Sequence, residues 1–573
     1  MPRQSRGAEG MGYRSSAIRF ARRAALALAL VFTLTSGESA APAADWVFPA
    51  QHRHVSPFSE GFAAVGGLWH SYLDRSGAYL FPLSSEDPVR GGSWPFSEGF
   101  GLIRKGNGSY RYNYVDRAGN QLLETDVDGE ASSFSEGLAF LSDSTRHGYI
   151  DKSGELVLPL PEERSGGFFH SGLAPFTEFD SGLYGYIDKS GATVIPPAFR
   201  AAGPFSGGLA AVQTADGLWG YIDRAGAFVL EPVYERASTF SEGRAWVQKA
   251  GATGIIDESG AFTPVPTELS ITPEDTLYLR NFGETGEISS ALFQEGFSVV
   301  REGELYGLVD RSGTHVIPPR FSSMGNVREG LFAGCLEGQW GLYDTTGALV
   351  FAWDNDPAFD PATSDRSDVR LAAPSEGLFA AAVGTEVYAD KLFGYLRSPL
   401  YSPSPWAEAE LAEAFGAGVV PHEISYHLQR SITRREFCAL LAKTLTRLHG
   451  EAYLPAPVDT FCDTDDQSVR ILAGLGIVDG VGDGRFEPDA PLTREQAAAI
   501  LVRAAEQLGL PCGGGDLSGY ADADQISEYA RRYVAALQSL GVMGGGDGLF
   551  DPRGDLTREQ AVLTACRLHR VAR

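Results

Sequence analysis

The stretch "LWGYIDRAGAFVLEPVYERASTFSEGRAWV", residues 218–247, contains two short signals that recur along the chain and decide its fold. The first is an Asp-x-x-Gly pair, which occurs at Asp74/Gly77, Asp116/Gly119, Asp151/Gly154, Asp188/Gly191, Asp223/Gly226, Asp257/Gly260, Asp310/Gly313 and Asp344/Gly347. The second is Phe-Ser-Glu-Gly or a decayed form of it, which ends at Gly61, Gly99, Gly137, Gly172, Gly208, Gly243, Gly296, Gly330 and Gly377. The undisturbed spacing of 34–38 residues predicts a repeat array.

Each repeat predicts three short strands. In the clearest copy they are "GLAAVQ" (208–213), "WGYID" (219–223) and "AFVLEPVY" (227–234), joined by connections short enough for hairpins. Asp223 can bond the backbone of its own turn, while Gly226 takes the positive φ that a Cβ disfavours. A three-stranded meander cannot bury its apolar face alone, so neighbouring units must stack. The sequence is compatible with a closed propeller and with an open superhelix.

The eight repeated aspartates favour turn formation over metal binding or catalysis. Each has its Gly at the same offset, and a catalytic carboxylate would be needed once rather than eight times. The chain also lacks a G-x-S-x-G elbow, a phosphate-binding loop and a Cys-x-x-Cys pair. We therefore predict no catalytic residue, no metal site and no cofactor.

Composition and charge narrow the class of protein. The chain has 573 residues, 43% of them hydrophobic, and a formal charge of −26, which predicts a globular multidomain protein that does not bind nucleic acid. Residues 1–44 are predicted to be a signal peptide, because arginines precede the apolar run "AALALALVFTLT" (24–35) and small residues follow it; the alternative is a buried N-terminal helix. No later segment predicts a membrane span.

The five cysteines are too few for a disulfide framework in a chain of this length. Cys335, Cys438 and Cys566 fall on predicted strands or helices and favour buried thiols, although one bridge between C-terminal cysteines stays open.

A Pro/Ser-rich segment, residues 398–405, predicts a linker, and beyond it the apolar period changes from 2 toward 3.6. Three helix starts then share a capping box, at Thr433–Glu436, Thr493–Gln496 and Thr557–Gln560. Each box places an arginine at the first helical position: Arg434, Arg494 and Arg558. Unpaired amides and the helix dipole would favour an anion there, and the arginine fork can hold a carboxylate. An arginine that packs on a neighbouring helix or pairs with a local acid fits the spacing equally well.

The β repeats resemble the WG-repeat family, through Trp219-Gly220 and Trp340-Gly341, over residues 45–397 in about nine repeats. Some copies depart from the pattern, since Tyr184 and Tyr306 replace the Trp and His70 follows Trp69. The resemblance implies a binding or scaffolding array and carries no catalytic residue across.

The C-terminal third resembles the S-layer homology (SLH) domain in three copies, 406–450 (divergent), 458–510 and 516–573. Copies two and three combine an aromatic-x-Asp start, a Gly-Asp-Gly-x-Phe-x-Pro loop and the capped helix, whereas copy one has "GVVPHEISYHLQR" in place of the loop. The resemblance implies a pseudo-threefold helical spindle that binds cell-wall polysaccharide, with the arginine on a pyruvate carboxylate. The implied glycan-binding residues are Arg494, Asp463 and Gly484, then Arg558, Asp522 and Gly548, and Arg434 for copy one.

These observations predict an exported, non-enzymatic cell-surface protein held in the cell wall or S layer. Its expected partners are a pyruvylated secondary cell-wall polymer or a peptidoglycan-linked glycan, and an unknown ligand of the repeat array. Two alternatives remain: a wall-associated enzyme or inhibitor whose site lies in the insertions at 262–290 or 352–370, and a surface sensor of glycans or small molecules.

Overall fold

The computed structural model describes residues 46–66, 70–81, 92–105, 110–126, 129–267, 292–353, 371–383, 392–449, 461–464 and 466–573. The predicted signal peptide lies outside the described residues, as do nearly all of the two insertions that the enzyme alternative would use. Both therefore stay predictions.

The described part of residues 46–397 forms nine small antiparallel sheets, which we call blades 1 to 9. Blades 1 to 3 consist of β2 (His54–Val55), β3 (Phe62–Gly66) and β4 (His70–Asp74); β5 (Gly92–Ser93), β6 (Phe100–Lys105), β7 (Arg111–Asp116) and β8 (Gln121–Glu124); and β9 (Glu130–Ala131), β10 (Ala139–Ser142), β11 (His147–Ile150) and β12 (Leu156–Pro159). Blades 4 to 6 consist of β13 (Arg164–Gly166), β14 (Leu173–Glu178), β15 (Leu183–Asp188) and β16 (Thr193–Phe199); β17 (Ala201–Ala202), β18 (Ala210–Gln213), β19 (Trp219–Ile222) and β20 (Phe228–Tyr234); and β21 (Arg236–Ala237), β22 (Arg244–Lys249), β23 (Ala252–Asp257) and β24 (Phe262–Pro264). Blades 7 to 9 consist of β25 (Phe297–Glu302), β26 (Leu305–Asp310) and β27 (His315–Phe321); β28 (Ser323–Met324), β29 (Leu331–Leu336), β30 (Gln339–Asp344) and β31 (Leu349–Ala352); and β32 (Leu378–Val383) and β33 (Leu392–Arg397) with β1 (Trp46–His52).

The three strands predicted in the clearest repeat are present as β18, β19 and β20, in that order in the sheet. The structure adds a fourth, two-residue strand, β17, which pairs with β18 through Ala201–Gln213 and Ala202–Val212. Only Arg200 separates it from the end of β16 in the preceding blade, so one nearly continuous run of residues serves two blades. A sequence pattern of period 2 cannot show that break.

The ring of blades is closed by strands from its two ends. β1 pairs antiparallel with β33, so the ninth blade takes one strand from the beginning of the array and two from its end. Phe48 on β1 packs on Phe58, with 6.3 Å between ring centroids, and on Tyr395, at 6.1 Å. The array is thus a nine-bladed, propeller-like ring, which decides between the two architectures that the sequence left open.

The Phe-Ser-Glu-Gly signal joins neighbouring blades by hydrogen bonds wherever its glutamate is present. Ser59 Oγ donates to the Phe96 carbonyl at 2.8 Å, and the Glu60 carboxylate accepts from the Gly99 amide at 2.8 Å. The same two bonds close the ring from blade 9 to blade 1, from Ser375 Oγ to the Phe58 carbonyl at 2.7 Å and from the Gly61 amide to Glu376 at 3.0 Å. The signal is therefore an inter-blade contact as well as a marker of the repeat.

A buried tyrosine of the middle strand makes a second inter-blade contact in several blades. The Tyr221 hydroxyl donates to the Ser238 carbonyl at 2.8 Å, and at the closing seam the Tyr395 hydroxyl donates to the Ser56 carbonyl at 2.7 Å. Since a buried hydroxyl without a partner is costly, these bonds fix the spacing between neighbouring blades.

The aspartates form turns, as predicted. Asp223 Oδ1 accepts from the amides of Ala225 and Ala227, both at 2.9 Å, and the Gly226 amide bonds the Asp223 carbonyl at 3.0 Å. The same pair of amide bonds, to the second and fourth following residues, occurs at Asp74, Asp116, Asp151, Asp188, Asp257, Asp310 and Asp344.

The C-terminal third forms six α-helices within the described residues: α1 (Glu408–Ala417), α2 (Arg434–His449), α3 (Gln467–Gly474), α4 (Arg494–Gln507), α5 (Arg531–Leu540) and α6 (Arg558–Ala572). The capped helix of each copy packs on the first helix of the next, α2 on α3, α4 on α5 and α6 on α1. The residues before the three caps are joined in a cycle of backbone hydrogen bonds. The Ile432 amide donates to the Leu556 carbonyl, the Leu556 amide to the Leu492 carbonyl, and the Leu492 amide to the Ile432 carbonyl. The helical module therefore has pseudo-threefold symmetry.

Of these helices in the described chain, none combines the length and the apolar character that a bilayer crossing requires. All five cysteines are free, and Cys335, Cys438 and Cys566 are buried, as predicted.

The helical module packs directly on the propeller. Tyr401, within the predicted linker 398–405, is 4% exposed, and its ring lies against Gly377 of blade 9. Arg447 on α2 pairs with Glu60 of blade 1 at 2.7 Å, and Arg117 of blade 2 donates to the Gly416 carbonyl at the end of α1. Proline and serine composition cannot reveal such packing, because it depends on residues that are distant in sequence.

Candidate functional site

The three capping boxes place an arginine at the start of α2, α4 and α6. The boxes are formed as predicted: Thr493 Oγ1 accepts from the Gln496 amide and Gln496 bonds back to the Thr493 amide, and Thr557 repeats the arrangement. The following arginines are almost buried, with Arg434 and Arg494 each 9% exposed and Arg558 2% exposed. They are therefore held in defined positions by the surrounding chain.

Each arginine reaches across to the loop of the next copy. Arg434 of copy one donates from Nε to the Phe486 carbonyl at 2.8 Å and from Nη2 to the Asp479 carbonyl at 3.0 Å. Its guanidinium lies over the Phe486 ring, 4.4 Å from the centroid. The two bonds use two of the five N–H groups of the fork, and Nη1 has no partner among the described residues.

Arg494 of copy two repeats this arrangement on copy three. Its Nε donates to the Phe550 carbonyl and its Nη2 to the Gly544 carbonyl, both at 2.7 Å, and the guanidinium lies 5.2 Å from the Phe550 ring centroid. Nη1 contacts Gln560 Oε1 at 3.3 Å. Two arginine sites of the same construction, which we call grooves, thus lie at the junctions of copy one with two and of copy two with three.

Asp463 and Asp522 shape the loops on which these arginines rest. The Asp463 carboxylate accepts from the amides of Phe486 and Glu487 at 2.7 and 2.8 Å. Asp522 accepts from the amides of Phe550 and Asp551 at 2.8 and 2.7 Å.

These bonds also set the charge of the two carboxylates. The Phe486 amide bond is the main reason that the pKa of Asp463 lies below its ordinary value. Burial would raise the pKa of Asp522, but the two amide bonds outweigh it and lower the value. Both carboxylates therefore stay ionised and hold the aromatic residue in place.

Gly484 and Gly548 form the tight turn of each loop. Their φ angles are +71° and +77°, and each follows an aspartate that also has positive φ. Their carbonyls accept from the amides of Cys462 and Ala521, both at 2.8 Å. An L-residue with a Cβ is strained in this conformation, which accounts for the glycine in the motif.

The structure groups the predicted residues across copies. Arg434 meets the loop that contains Gly484 and is held by Asp463, while Arg494 meets the loop that contains Gly548 and is held by Asp522. The sequence had grouped the residues within each copy instead, because neighbours in a motif are neighbours in the chain. Because each capped helix packs on the next copy, each arginine contacts the loop of the copy that follows its own.

The expectation of unpaired amides at these helix starts is wrong. The amides of Arg434 and Arg435 bond the carbonyls of Ala490 and Pro488 at 3.0 and 2.9 Å, and α4 and α6 make the equivalent bonds. The first-turn amides therefore bond the neighbouring loop. The positive charge that could attract an anion belongs to the arginine side chain.

Arg558 of copy three has a different set of partners. Its Nη2 donates to Glu436 Oε1 at 2.7 Å, and its Nη1 donates to the Tyr426 carbonyl at 2.7 Å, with the guanidinium 5.0 Å from the Tyr426 centroid. Glu436 stands where the other two capping boxes have Gln496 and Gln560. Burial favours the neutral form of Glu436, but the bond and charge of Arg558 outweigh it, so the pKa of Glu436 is lowered.

From the sequence, Glu436 was singled out only as a capping residue, and Tyr426 was not singled out. The signal was present, because one capping box ends in Glu while two end in Gln. Its meaning required the structure, since Glu436 and Arg558 are 122 residues apart.

Copy one also supplies part of the contact with the propeller. The Tyr426 ring lies against Gly330 of blade 8, and Ser425 hydrogen-bonds Glu329. Glu329 is itself an inter-blade acceptor for the Gly377 amide, at 3.0 Å, and is completely buried. Burial is the largest cause that raises the pKa of Glu329 to about 8 and that of Glu376 to about 7.

These buried carboxyls predict a pH-dependent stability. A folded-state pKa near 8 exceeds the unfolded value, so the folded protein holds more protons between roughly pH 4.5 and 8. Stability should therefore fall as the pH rises through this window. We expect the Tm to be higher at pH 6.5 than at pH 8.5, and Glu329→Gln to flatten this slope in a thermal unfolding series. Equal slopes for the two proteins would contradict the assignment.

Two family models match parts of the chain. The model described as "WG containing repeat" matches residues 184–218, 219–251 and 306–338 of the propeller. The S-layer homology domain matches 465–498 and 519–562, in copies two and three. The two family resemblances drawn from the sequence motifs are confirmed, and copy one lies outside the matched ranges.

Several known proteins are similar to part of this chain, and the enzymes among them match only its S-layer homology region. An endoglucanase of Bacillus sp. (strain KSM-635) is 33% identical over 23% of this chain and 14% of its own length. The surface-layer 125 kDa protein of Lysinibacillus sphaericus is 35% identical over 16% of this chain and 8% of its own. The cellulosome-anchoring protein of Acetivibrio thermocellus is 26% identical over 23% of this chain and 31% of its own. This chain spans less than a third of each of these relatives.

Among solved structures, the computationally designed Ika8 protein aligns with 61% of this chain and 98% of its own, at 12% identity and a TM-score of 0.30. A TM-score this low carries no argument about function.

Proposed function

We propose, for this cell-wall-associated surface protein of WG-containing repeats and C-terminal S-layer homology domains, that the helical module anchors it non-covalently to an acidic wall glycan. The glycan class we propose is a pyruvylated secondary cell-wall polymer or a similar carboxylate-bearing polymer. The observation that carries the proposal is the pair of matched grooves, in which Arg434 and Arg494 lie over the aromatic ring of the next copy's loop.

The groove suits a carboxylate. Two N–H groups of each arginine are fixed on loop carbonyls, so the direction of the remaining N–H groups is set before a ligand arrives. A prepositioned guanidinium can bind a carboxylate through two parallel bonds, and each charge-assisted bond contributes roughly 1.5–3 kcal/mol. Two such grooves on one rigid module add avidity for a polymer with repeated acidic groups.

For the propeller we propose a non-enzymatic display and binding role. Its repeats supply inter-blade bonds and turns, and a cavity of about 460 Å³ opens between blades 3 and 4. The cavity is lined in part by His147, the carboxylates of Glu130 and Glu162, and Phe179, whose ring is 59% exposed. An exposed ring beside carboxylates suits a hydroxyl-rich ligand such as a sugar.

Sedimentation with isolated cell-wall sacculi tests the anchoring proposal. The full chain should sediment with native sacculi and stay in the supernatant when the acidic secondary polymer has been removed from them chemically. Removal should eliminate the sites that the arginines bind, while the peptidoglycan remains. Equal sedimentation with both preparations would refute an acidic glycan as the anchor.

A further inference from the structure

We infer that the third groove, between copies three and one, is closed by the chain's own carboxylate, so that the module binds its acidic glycan through two grooves. This rests on the proposed function and gives Arg558 a different role from the one its motif predicts. Glu436 occupies Arg558 in the way that a ligand carboxylate would, and copy one serves to attach the module to the propeller.

Arg558 is structurally equivalent to the other two arginines. Its amide bonds the Arg430 carbonyl at 2.9 Å, as the Arg434 amide bonds Ala490 and the Arg494 amide bonds Gly554. Tyr426 occupies the place of the aromatic residue in the other loops, with its carbonyl on the guanidinium and its ring beside it. The three grooves therefore share the backbone hydrogen bond at the arginine amide and differ in the groups that contact the guanidinium.

The decisive difference is the third residue of the neighbouring capped helix. In the second groove this residue is Gln560, a neutral side chain whose oxygen lies 3.3 Å from Arg494 Nη1. In the third groove it is Glu436, whose two oxygens lie 2.7 Å from Nη2 and 3.4 Å from Nε of Arg558. Arg430, which is half-exposed, also binds Glu436 Oε1, at 2.6 Å. An incoming acidic sugar would therefore have to displace a carboxylate that two arginines hold.

The loop of the third groove also makes contacts outside the groove. Copy one lacks the hairpin glycine. Its His427 amide donates to the Leu400 carbonyl at 3.0 Å, whereas the equivalent Asp551 amide of copy three donates to the Asp522 carboxylate. Tyr426 and Ser425 contact blade 8 through Gly330 and Glu329. The segment that would line a glycan groove thus lies between the module and the propeller.

Binding of the full chain to native sacculi over a range of sacculus concentrations tests this inference. Arg558→Ala and Arg558→Lys should leave the apparent affinity unchanged, whereas Arg494→Ala should weaken it by about tenfold or more. Glu436→Gln, which installs the residue found in the other two boxes, should open the third groove and tighten binding by about tenfold. Adding Arg558→Ala to Glu436→Gln should remove that gain.

The results separate this inference from the proposed function. If Arg558→Ala and Arg558→Lys each weaken binding as much as Arg494→Ala does, the third groove is open and the inference is overturned while the anchoring proposal stands. If Glu436→Gln binds no more tightly than the native chain, Glu436 is not what closes the groove, which also overturns the inference. If the native chain does not bind sacculi, both proposals fall. Circular dichroism of each variant identifies any loss caused by unfolding.

Discussion

The full chain with Arg434→Ala and Arg494→Ala together is expected to lose at least about a hundredfold of its affinity for native sacculi. Each substitution removes a guanidinium that the neighbouring copy's loop holds over an aromatic ring, at 4.4 and 5.2 Å. Each single variant should lose about tenfold, and the two losses of binding free energy should add because the grooves share no residue, which gives about a hundredfold. Sedimentation at graded sacculus concentrations measures all three affinities.

Arg570→Ala is the matched control for charge. Arg570 lies in the last turn of α6, is half-exposed and pairs with Glu413 on α1, so its removal changes the net charge by the same amount as each groove substitution. We expect it to bind like the native chain. If Arg570→Ala weakened binding as much as either groove variant, attraction would be a general charge effect and the grooves would not be the anchor.

Phe48→Ala is expected to destabilise the propeller by about 3–5 kcal/mol, the usual cost of truncating a buried aromatic residue. Phe48 lies on β1, is 7% exposed and packs between Phe58 and Tyr395 at the seam where the ring closes. The substitution leaves a cavity beside the strand that joins the two ends of the array. Urea unfolding followed by tryptophan fluorescence, with the propeller transition fitted separately, measures the change.

Phe179→Ala removes the same side chain from an exposed position and serves as the control. Since its ring is 59% exposed, we expect a change within about 0.5 kcal/mol. Similar urea midpoints for Phe48→Ala and Phe179→Ala would show that the closing strand contributes little to the stability of the ring.

Local sequence was sufficient for the features that depend on a few neighbouring residues. The turn at Asp223 and Gly226 was predictable because its hydrogen bonds join residues up to four apart. The capping boxes were predictable for the same reason, since Thr493 and Gln496 bond each other. The strands of each repeat followed from the alternation of apolar residues between such turns.

The composition of the grooves was predictable only in part. Arg434 and Arg494 were singled out from the capping boxes, and the family resemblance implied Asp463 and Gly484. In the structure Asp463 and Gly484 belong to the loop that Arg434 contacts. Their pairing was not predictable, because Arg434 meets a loop from the following copy and Arg558 meets Glu436 from the first copy. Such contacts depend on the order in which helices pack around the pseudo-threefold axis.

The amino-acid sequence by itself determined the repeat period, the turns, the strands and the helix starts, because each arises from bonds within a few residues. Only the tertiary structure decided that the array closes, since closure depends on β1 pairing with β33, whose partner residues lie 341 to 350 positions later in the chain. It also decided that Glu436 pairs with Arg558 and that the module packs on the ring. These contacts join residues that are far apart in the chain, so they form only when the fold brings the surfaces together. The charge and burial of each residue then determine how it interacts with its new neighbours.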